Sequence, residues 1–507
     1  MDNVFDRPVP THSARNGAAP HGGLRIRPDA ALTFDDVLLV PRYSEVRSRG
    51  LAMTHTLFSR RIALAMPIVS SNMDTVTESE MAIALARAGG IGVIHRFLTI
   101  GRQADEVRRV KRSQATIVKA PLTLPPDAAV GDARALMGED GVGGVIVVDA
   151  EQRPVGIVTR RDIMFFDDDS ATIAEVMTPG ARLITAPEGT GAAEARQTLD
   201  RHRIEKLPLI DAEGRLVGLI TAKDIEHRIA FPNATLDPTG SLRVAAAVGV
   251  RPGYLERAEQ LLHAGADALV IDIAHGDSVM AVDAARELRR TFGDGWDMVV
   301  GNVATAEGTQ RLIDAGADGI KVGIGPGSIC VTRIVTGFGV PQLTAIAECA
   351  PITSAAGVPM VADGGIKAAG DLVKALAAGA QSVMIGSLLA GTRESPGMVV
   401  VRGGRRFKVT RGMASLEANI ALQATERQLP AAQIPKKEYE RVVPEGVEAR
   451  VPYRGPVDSI LYQLVGGLRS GLSYAGARTI PELQATAEFV RISPAGQRES
   501  GPHDVDL

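Results

Sequence analysis

The amino-acid sequence predicts an α/β fold, a (β/α)8 TIM barrel interrupted by a tandem module. Three observations predict it. Eight short β-branched runs, each ending near Gly, Asn, Ser or Asp, recur along the chain. Helical stretches lie between them. The second and third runs are about 150 residues apart, far more than one connecting helix needs.

The runs are, in order, 67–72 (PIVSSN), 90–94 (GIGVI), 243–249 (RVAAAVG), 268–272 (ALVID), 298–303 (MVVGNV), 319–325 (GIKVGIG), 359–365 (PMVADGG) and 382–387 (SVMIGS). Each is short, apolar and bounded by turn residues, the pattern of a parallel strand buried on both faces. Stretches such as YLERAEQLLHAG, AEGTQRLIDAG and AGDLVKALAAG read as the connecting helices. These three close on Ala264-Gly265, Ala315-Gly316 and Ala378-Gly379. Glycine there supplies the left-handed residue that ends a helix before the next strand. A count of eight favours a closed barrel over a doubly wound open sheet.

The long gap holds a duplication. Residues 156–163 (GIVTRRDI) match 218–225 (GLITAKDI), and Val148-Asp149-Ala150-Glu151 matches Ile210-Asp211-Ala212-Glu213, both at an offset of 62. A fixed offset between paired motifs marks a repeated unit. The expected organisation is a disordered extension over 1–25, a first barrel part over 26–113, the duplicated module over 114–229 and a second barrel part over 230–507. Each copy resembles a CBS motif, and the pair resembles a Bateman module. That resemblance implies a purine nucleotide effector, with Thr159, Asp162, Thr221 and Asp224 at its ribose. Thr and Asp are also good helix N-caps, and that reading stays open beside it.

Composition removes several classes. Hydrophobic residues are 45% and charged residues 23%, enough for a sizeable core. Fifty-six Lys and Arg against 59 Asp and Glu leave a net charge of −3, so general nucleic-acid binding is not expected. Two cysteines cannot build a disulfide framework, which suits a reducing compartment. No apolar run approaches the ~20 residues of a membrane span, and the N-terminus has no apolar signal core. A cytoplasmic location is expected.

Chemistry in such a barrel sits on loops at the C-terminal ends of strands. The loop after the sixth strand, Gly323 to Arg333, reads GIGPGSICVTR. Its glycines let backbone approach a ligand closely. Ser328 offers a hydroxyl, and Cys330 is a candidate nucleophile on the loop. Thr332 reads either as a structural hydroxyl or as proton machinery. Strand seven ends in Asp363-Gly364-Gly365 and strand eight in Gly386-Ser387, the usual barrel corner for phosphate. Asp363 reads as a ribose ligand or as a helix cap. Cys349, in a helical stretch, reads as an inert buried thiol.

These segments carry a resemblance. LTFDDVLLVP (32–41), SSNMDTVTE (70–78), GGIGVIHR (89–96), GNVAT (301–305), GIGPGSICVTRIVTGFGVPQ (323–342), ADGGI (362–366), RGMAS (411–415), VPEGVEARVPY (443–453) and QLVGGLRSGLSYAGARTI (463–480) resemble the IMP dehydrogenase/GMP reductase family. The match runs from about Leu32 to the C-terminus, and the inserted pair is a trait of the family. The resemblance implies that Cys330 attacks C2 of IMP, that hydride leaves for NAD, and that water hydrolyses the thioimidate to XMP. It places Ser71, Met73, Gly412, Met413 and Glu445 along the base. Ser328, Asp363, Gly364, Gly365, Gly386 and Ser387 hold ribose and phosphate. Asp272, Asn302, Gly323 and Gly325 face the nicotinamide nucleotide. It implies a K+ site from the carbonyls of Gly325, Gly327 and Cys330, completed by Glu499, Ser500 and Gly501 of a neighbouring copy in a homotetramer.

The sequence departs from that pattern in places. Dehydrogenases of the family carry an Arg-Tyr pair in a flap, and the Arg activates water. Here Arg427 aligns with the Arg, but Gln428 stands where Tyr is expected. An unassisted Arg is a poor base. Thr410 replaces a Tyr before RGM, and Phe97 follows His-Arg where many dehydrogenases have Asn. The reductase branch shares the Cys and Thr but activates no water. GMP reductase, with Thr332 and Glu417 or Glu445 handling the ammonia proton, is therefore the alternative. A nucleotide sensor with an inactive barrel is a third reading.

Overall fold

In the computed structural model of the chain, the eight runs become the staves of a closed parallel barrel. The structure describes residues 26–114, 118, 121–139, 141–427, 429, 433–435 and 443–502. The staves are β1 (Ile68–Ser70), β2 (Ile91–Ile94), β3 (Ala245–Val248), β4 (Ala268–Asp272), β5 (Asp297–Val303), β6 (Gly319–Val322), β7 (Met360–Asp363) and β8 (Ser382–Ile385). Pairing of β8 with β1 and of β2 with β3 shuts the ring and excludes the open sheet. The helices around it are α1 (Ser79–Ala88), α2 (Ile100–Ser113), α3 (Tyr254–His263), α4 (Val279–Phe292), α5 (Ala306–Asp314), α6 (Gln342–Ala356), α7 (Ala369–Ala377) and α8 (Val457–Ala475). Gly265, Gly316 and Gly379 follow helices α3, α5 and α7 with φ of +96°, +99° and +118°.

Period-two alternation divides the strand residues between two cores. Leu269, Ile271, Met298, Val300, Ile320, Val322, Met360 and Ala362 point outward and pack under the helices. Val69, Val93, Ala245, Ala247, Ala268, Val270, Val299 and Val361 fill the interior. A hairpin of Thr56–Ser59 and Ile62–Leu64 adds Phe58, Ile62 and Leu64 to that interior core. Continuing the alternation one step turns Asp272, Lys321 and Asp363 inward at the C-terminal ends of β4, β6 and β7. Gly301 on β5 is the small partner this layer needs. A Cβ there would lie 2.5 Å from the Lys321 carbonyl oxygen and 2.6 Å from its Cβ.

The duplication is visible as structure. Strands Gly144–Val148 and Pro154–Thr159 recur as Lys206–Ile210 and Leu216–Thr221, each 62 positions on. The two copies meet where Ile146, Val148 and Ile157 pack on Leu219, and Leu216 N–H donates to the Gln152 carbonyl at 2.8 Å. Thr159 and Asp162 bond each other as a capping box, and Thr221 Oγ1 and Asp224 Oδ2 lie 2.5 Å apart at the matching cap. Arg87 of α1 grips both ends of the insert: it donates to the Ser113 carbonyl at 3.2 Å, lies 3.3 Å from His227 Nδ1, and stacks on Phe231. After β8 a three-stranded sheet (Val400–Arg402, Arg405–Arg411, Glu448–Pro452) and a helix, Leu416–Arg427, follow.

One unit spans Leu32–Leu507. Residues 26–31 of the other are exposed and carry no helix or strand, and the extension expected over 1–25 lies outside the described residues. Among the described residues no helix is long and apolar enough to cross a membrane.

Candidate active site

The inward layer at the strand ends is charged. Lys321, 2% exposed, reaches Asp272 Oδ1 at 2.7 Å and Asp363 Oδ2 at 2.8 Å, and also donates to Asn302 Oδ1. Asn302 Nδ2 donates to Asp363 Oδ2 at 2.9 Å and to the Gly323 carbonyl at 2.7 Å. Burial alone would lower the Lys321 ammonium below its ordinary value. The two carboxylates more than offset it and raise the ammonium above its ordinary value. Burial would likewise raise Asp272, but Lys321, helped by hydrogen bonds from Lys321 and Asn72, holds it below the usual carboxylate range. The network is therefore one ammonium shared by two carboxylates.

The loop after β6 rises beside it. Gly323 has φ of +148°, and a Cβ there would sit 2.2 Å from the Asp363 carbonyl oxygen, so only glycine fits the crossing. Further along, the Cys330 thiol donates to Thr332 Oγ1 at 3.2 Å, and Thr332 donates to Glu445 Oε2 at 2.8 Å. The two segments are laced together by backbone: Val331 N–H to the Glu445 carbonyl at 2.9 Å and Val447 N–H to the Ile329 carbonyl at 3.1 Å. A third segment joins them, with Glu445 N–H to the Ala414 carbonyl at 3.0 Å and Gly412 N–H to the Val447 carbonyl at 3.1 Å. The arrangement can carry a thiol proton to a carboxylate. Cys349 is fully buried under α5, where burial pushes its thiol up to about 11, which suits an inert residue.

These groups line a cleft of about 1260 Å³. It brings together Ser71, Met73, Asp272, Asn302, Gly323, Gly325, Gly327, Cys330, Thr332, Asp363, Gly364, Gly412, Met413 and Glu445. Ser328, Gly365, Gly386 and Ser387 lie outside that lining, with Ser328 exposed. A groove of about 1480 Å³ runs along the outer faces of α1 and α8 and holds none of these groups, so size alone does not mark the site.

The flap side divides. Arg427 ends the helix Leu416–Arg427, exposed and outside the lining, while Asn419, Leu422 and Thr425 of the same helix face the cleft. Gln428 lies outside the described residues. Of the two glutamates considered beside Thr332, Glu445 reaches it and Glu417 is exposed. Thr410 is buried with its hydroxyl 3.4 Å from that of Thr75. Glu499, Ser500 and Gly501 close the helix Pro494–Glu499, beyond a strand, Phe489–Arg491, paired with Val37–Leu39. The sequence reading missed Lys321 and Asn72. A lysine inside an otherwise apolar buried run was the available signal, because a buried charge needs partners.

Residues 31–503 match the model of the IMP dehydrogenase / GMP reductase domain. An inosine-5'-monophosphate dehydrogenase of Nitrosopumilus maritimus is 52% identical over 476 residues, covering 94% of this chain and 98% of the relative. One from Bacillus subtilis is 50% identical over 478 residues, covering 94% and 96%. A crystal structure of a Cys-to-Ala GMP reductase from Trypanosoma brucei with guanosine 5'-monophosphate superposes with a TM-score of 0.87 at 42% identity, covering 94% of this chain and 98% of that one. The same reductase solved with guanosine 5'-triphosphate gives 0.76 at 38% identity, covering 92% and 98%.

Proposed function

Because the chain belongs to the IMP dehydrogenase / GMP reductase family, we propose that it oxidises IMP to XMP with NAD. The observation that carries the chemistry is the continuous Cys330–Thr332–Glu445 relay. Cys330 Sγ bonds to purine C2 while its proton passes through Thr332 to Glu445. NAD, as second substrate, accepts the hydride from C2. Water then attacks C2, the C–S bond breaks, and the thiol is restored. The net change is IMP, NAD+ and water to XMP, NADH and a proton. Once Glu445 has released that proton to solvent, the same relay assists the water: Thr332 passes a proton from the attacking water to Glu445, and the departing sulfur takes it back. Arg427 is the second candidate base.

Binding follows the cleft, except that Ser328, Gly365, Gly386 and Ser387, assigned to phosphate, lie outside its lining. Ser71, Met73, Gly412 and Met413 take the base, and Asp363 takes the ribose. The glycines of Asp363-Gly364-Gly365 and Gly386-Ser387, with Ser328, take phosphate. Asp272 and Asn302, with Gly323 and Gly325, face the nicotinamide nucleotide. The carbonyls of Gly325, Gly327 and Cys330 suit a weakly hydrated monovalent cation such as K+. The Glu499–Gly501 segment of a neighbouring copy would complete that site in a homotetramer. The inserted pair takes a purine nucleotide, with Thr159, Asp162, Thr221 and Asp224 exchanging their cap bonds for a ribose.

A second reading rests on the same relay. Thr332 and Glu445 are equally able to protonate departing ammonia, so GMP reduction is its competitor. Absorbance at 340 nm decides between them. A rise with IMP, NAD and K+ establishes the dehydrogenase. A fall with GMP and NADPH, with ammonia released, establishes the reductase. Absence of both leaves a sensor. Cys330→Ala is expected to abolish either turnover, and full activity in that variant would remove the covalent step.

A further inference from the structure

Phe97 lines the cleft but carries no group that can take or give a proton. It follows β2 and is 6% exposed, packed in a separate cluster with Ala418, Leu422 and Met413. Its place is fixed from behind. Phe97 N–H donates to Nδ1 of buried His95 at 3.1 Å, and His95 Nε2 faces Glu78 Oε1 at 3.4 Å. Arg96 lies over its ring at 5.2 Å from the centroid. From this seat the helix Leu416–Arg427 is held on the barrel mouth. Its first turn is tied to buried Ser415, whose Oγ accepts the Ala418 N–H at 3.2 Å. The same turn holds Glu445, through the Ala414 carbonyl, and Val447, through Gly412. A Cβ on Gly446 would come 3.1 Å from the Ser415 nitrogen and 3.3 Å from the Gly412 Cα, so these segments leave little slack.

We propose that Phe97 is a positioning residue for the reaction: its ring seats the helix Leu416–Arg427 and thereby sets where Glu445 meets Thr332. The path runs from ring to helix, from helix to the 412–415 turn, and from that turn to the Glu445 backbone. Phe97 donates no proton and need not touch substrate. The proposal rests on the relay of the preceding reading, and the test separates the two. Wild-type protein is first assayed with IMP and NAD and with GMP and NADPH. Whichever pair it turns over is used throughout, so a wrong choice of reaction shows before any variant is made.

Phe97→Ala is expected to lower kcat roughly 10- to 100-fold, the scale of an ångström-sized misplacement. KM for the nicotinamide nucleotide stays near the wild-type value. Phe97→Leu, which refills the seat, is expected to recover most of the loss. In a Glu445→Gln background the same Phe97→Ala change is expected to alter kcat by less than about 2-fold, because the group it positions is gone. If Phe97→Ala is insoluble, Leu422→Ala empties the facing side of the seat and runs the same cycle. Equal losses with and without Glu445 would overturn the proposal. So would a rise in KM for the nicotinamide nucleotide at unchanged kcat, which would make Phe97 a direct ligand contact.

Discussion

Removing the Lys321 ammonium would leave Asp272 and Asp363 in the barrel interior without their shared cation. Lys321→Met is expected to lower stability by about 3–5 kcal/mol, the usual cost of orphaning buried charge, read as a fall in Tm. Its pH dependence follows from the directions of the shifts. Asp272 is depressed in the folded state, so its contribution is present above the ordinary carboxylate range and lost as pH falls through the lowered value. Lys321 is raised, so its contribution is present below the ordinary lysine value and lost only above the raised one. In Lys321→Met the orphaned acids are raised by burial, so the gap between wild type and variant should be smallest in acid, where those acids are protonated, and widen as pH rises through their raised values. A gap that widened in acid would contradict the assignment. The sequence announced the acids, because Asp272 and Asp363 each close a recognisable strand. Lys321 was hidden in a run read only as apolar. The meeting of Glu445 with Thr332 spans 113 positions, which no local pattern encodes.

Whole elements were legible where local chemistry dictates them. All eight runs became staves, and the Ala-Gly ends became left-handed caps, since a buried strand and a helix stop each have a short-range cause. Gly379 tests this. Its φ is +118°, and a Cβ would lie 2.5 Å from that of Ala350. Gly379→Ala should therefore destabilise by about 1–3 kcal/mol. Gly370, inside α7 with open space around it, is the control: Gly370→Ala should stabilise by up to about 1 kcal/mol. Comparable losses in both, measured by chemical denaturation, would mean that the left-handed cap is not the cause. The helix Leu416–Arg427 was less legible. It was read as a flap for the sake of Arg427, yet the side chains that face the cleft come from its middle, because its seat on Phe97 is a tertiary contact.

At the scale of the whole molecule, the insert enters and leaves within reach of one guanidinium. Arg87 contacts Ser113 on the way out and His227 and Phe231 on the way back. Replacing 114–229 by a short linker should therefore leave the barrel folded and turning over, and should remove any response to purine nucleotides. Loss of turnover on deletion would instead make the insert part of the barrel's support. The interior lysine has a different reach. One ammonium serves two acids that, in the proposed reaction, face different substrates. A ligand that engages the Asp363 carboxylate leaves Lys321 more fully to Asp272, and the converse holds. Occupancy of one subsite must then change affinity at the other, by the same factor in both directions. The two substrates would not be read independently, and the coupling between them would rest on a single buried side chain.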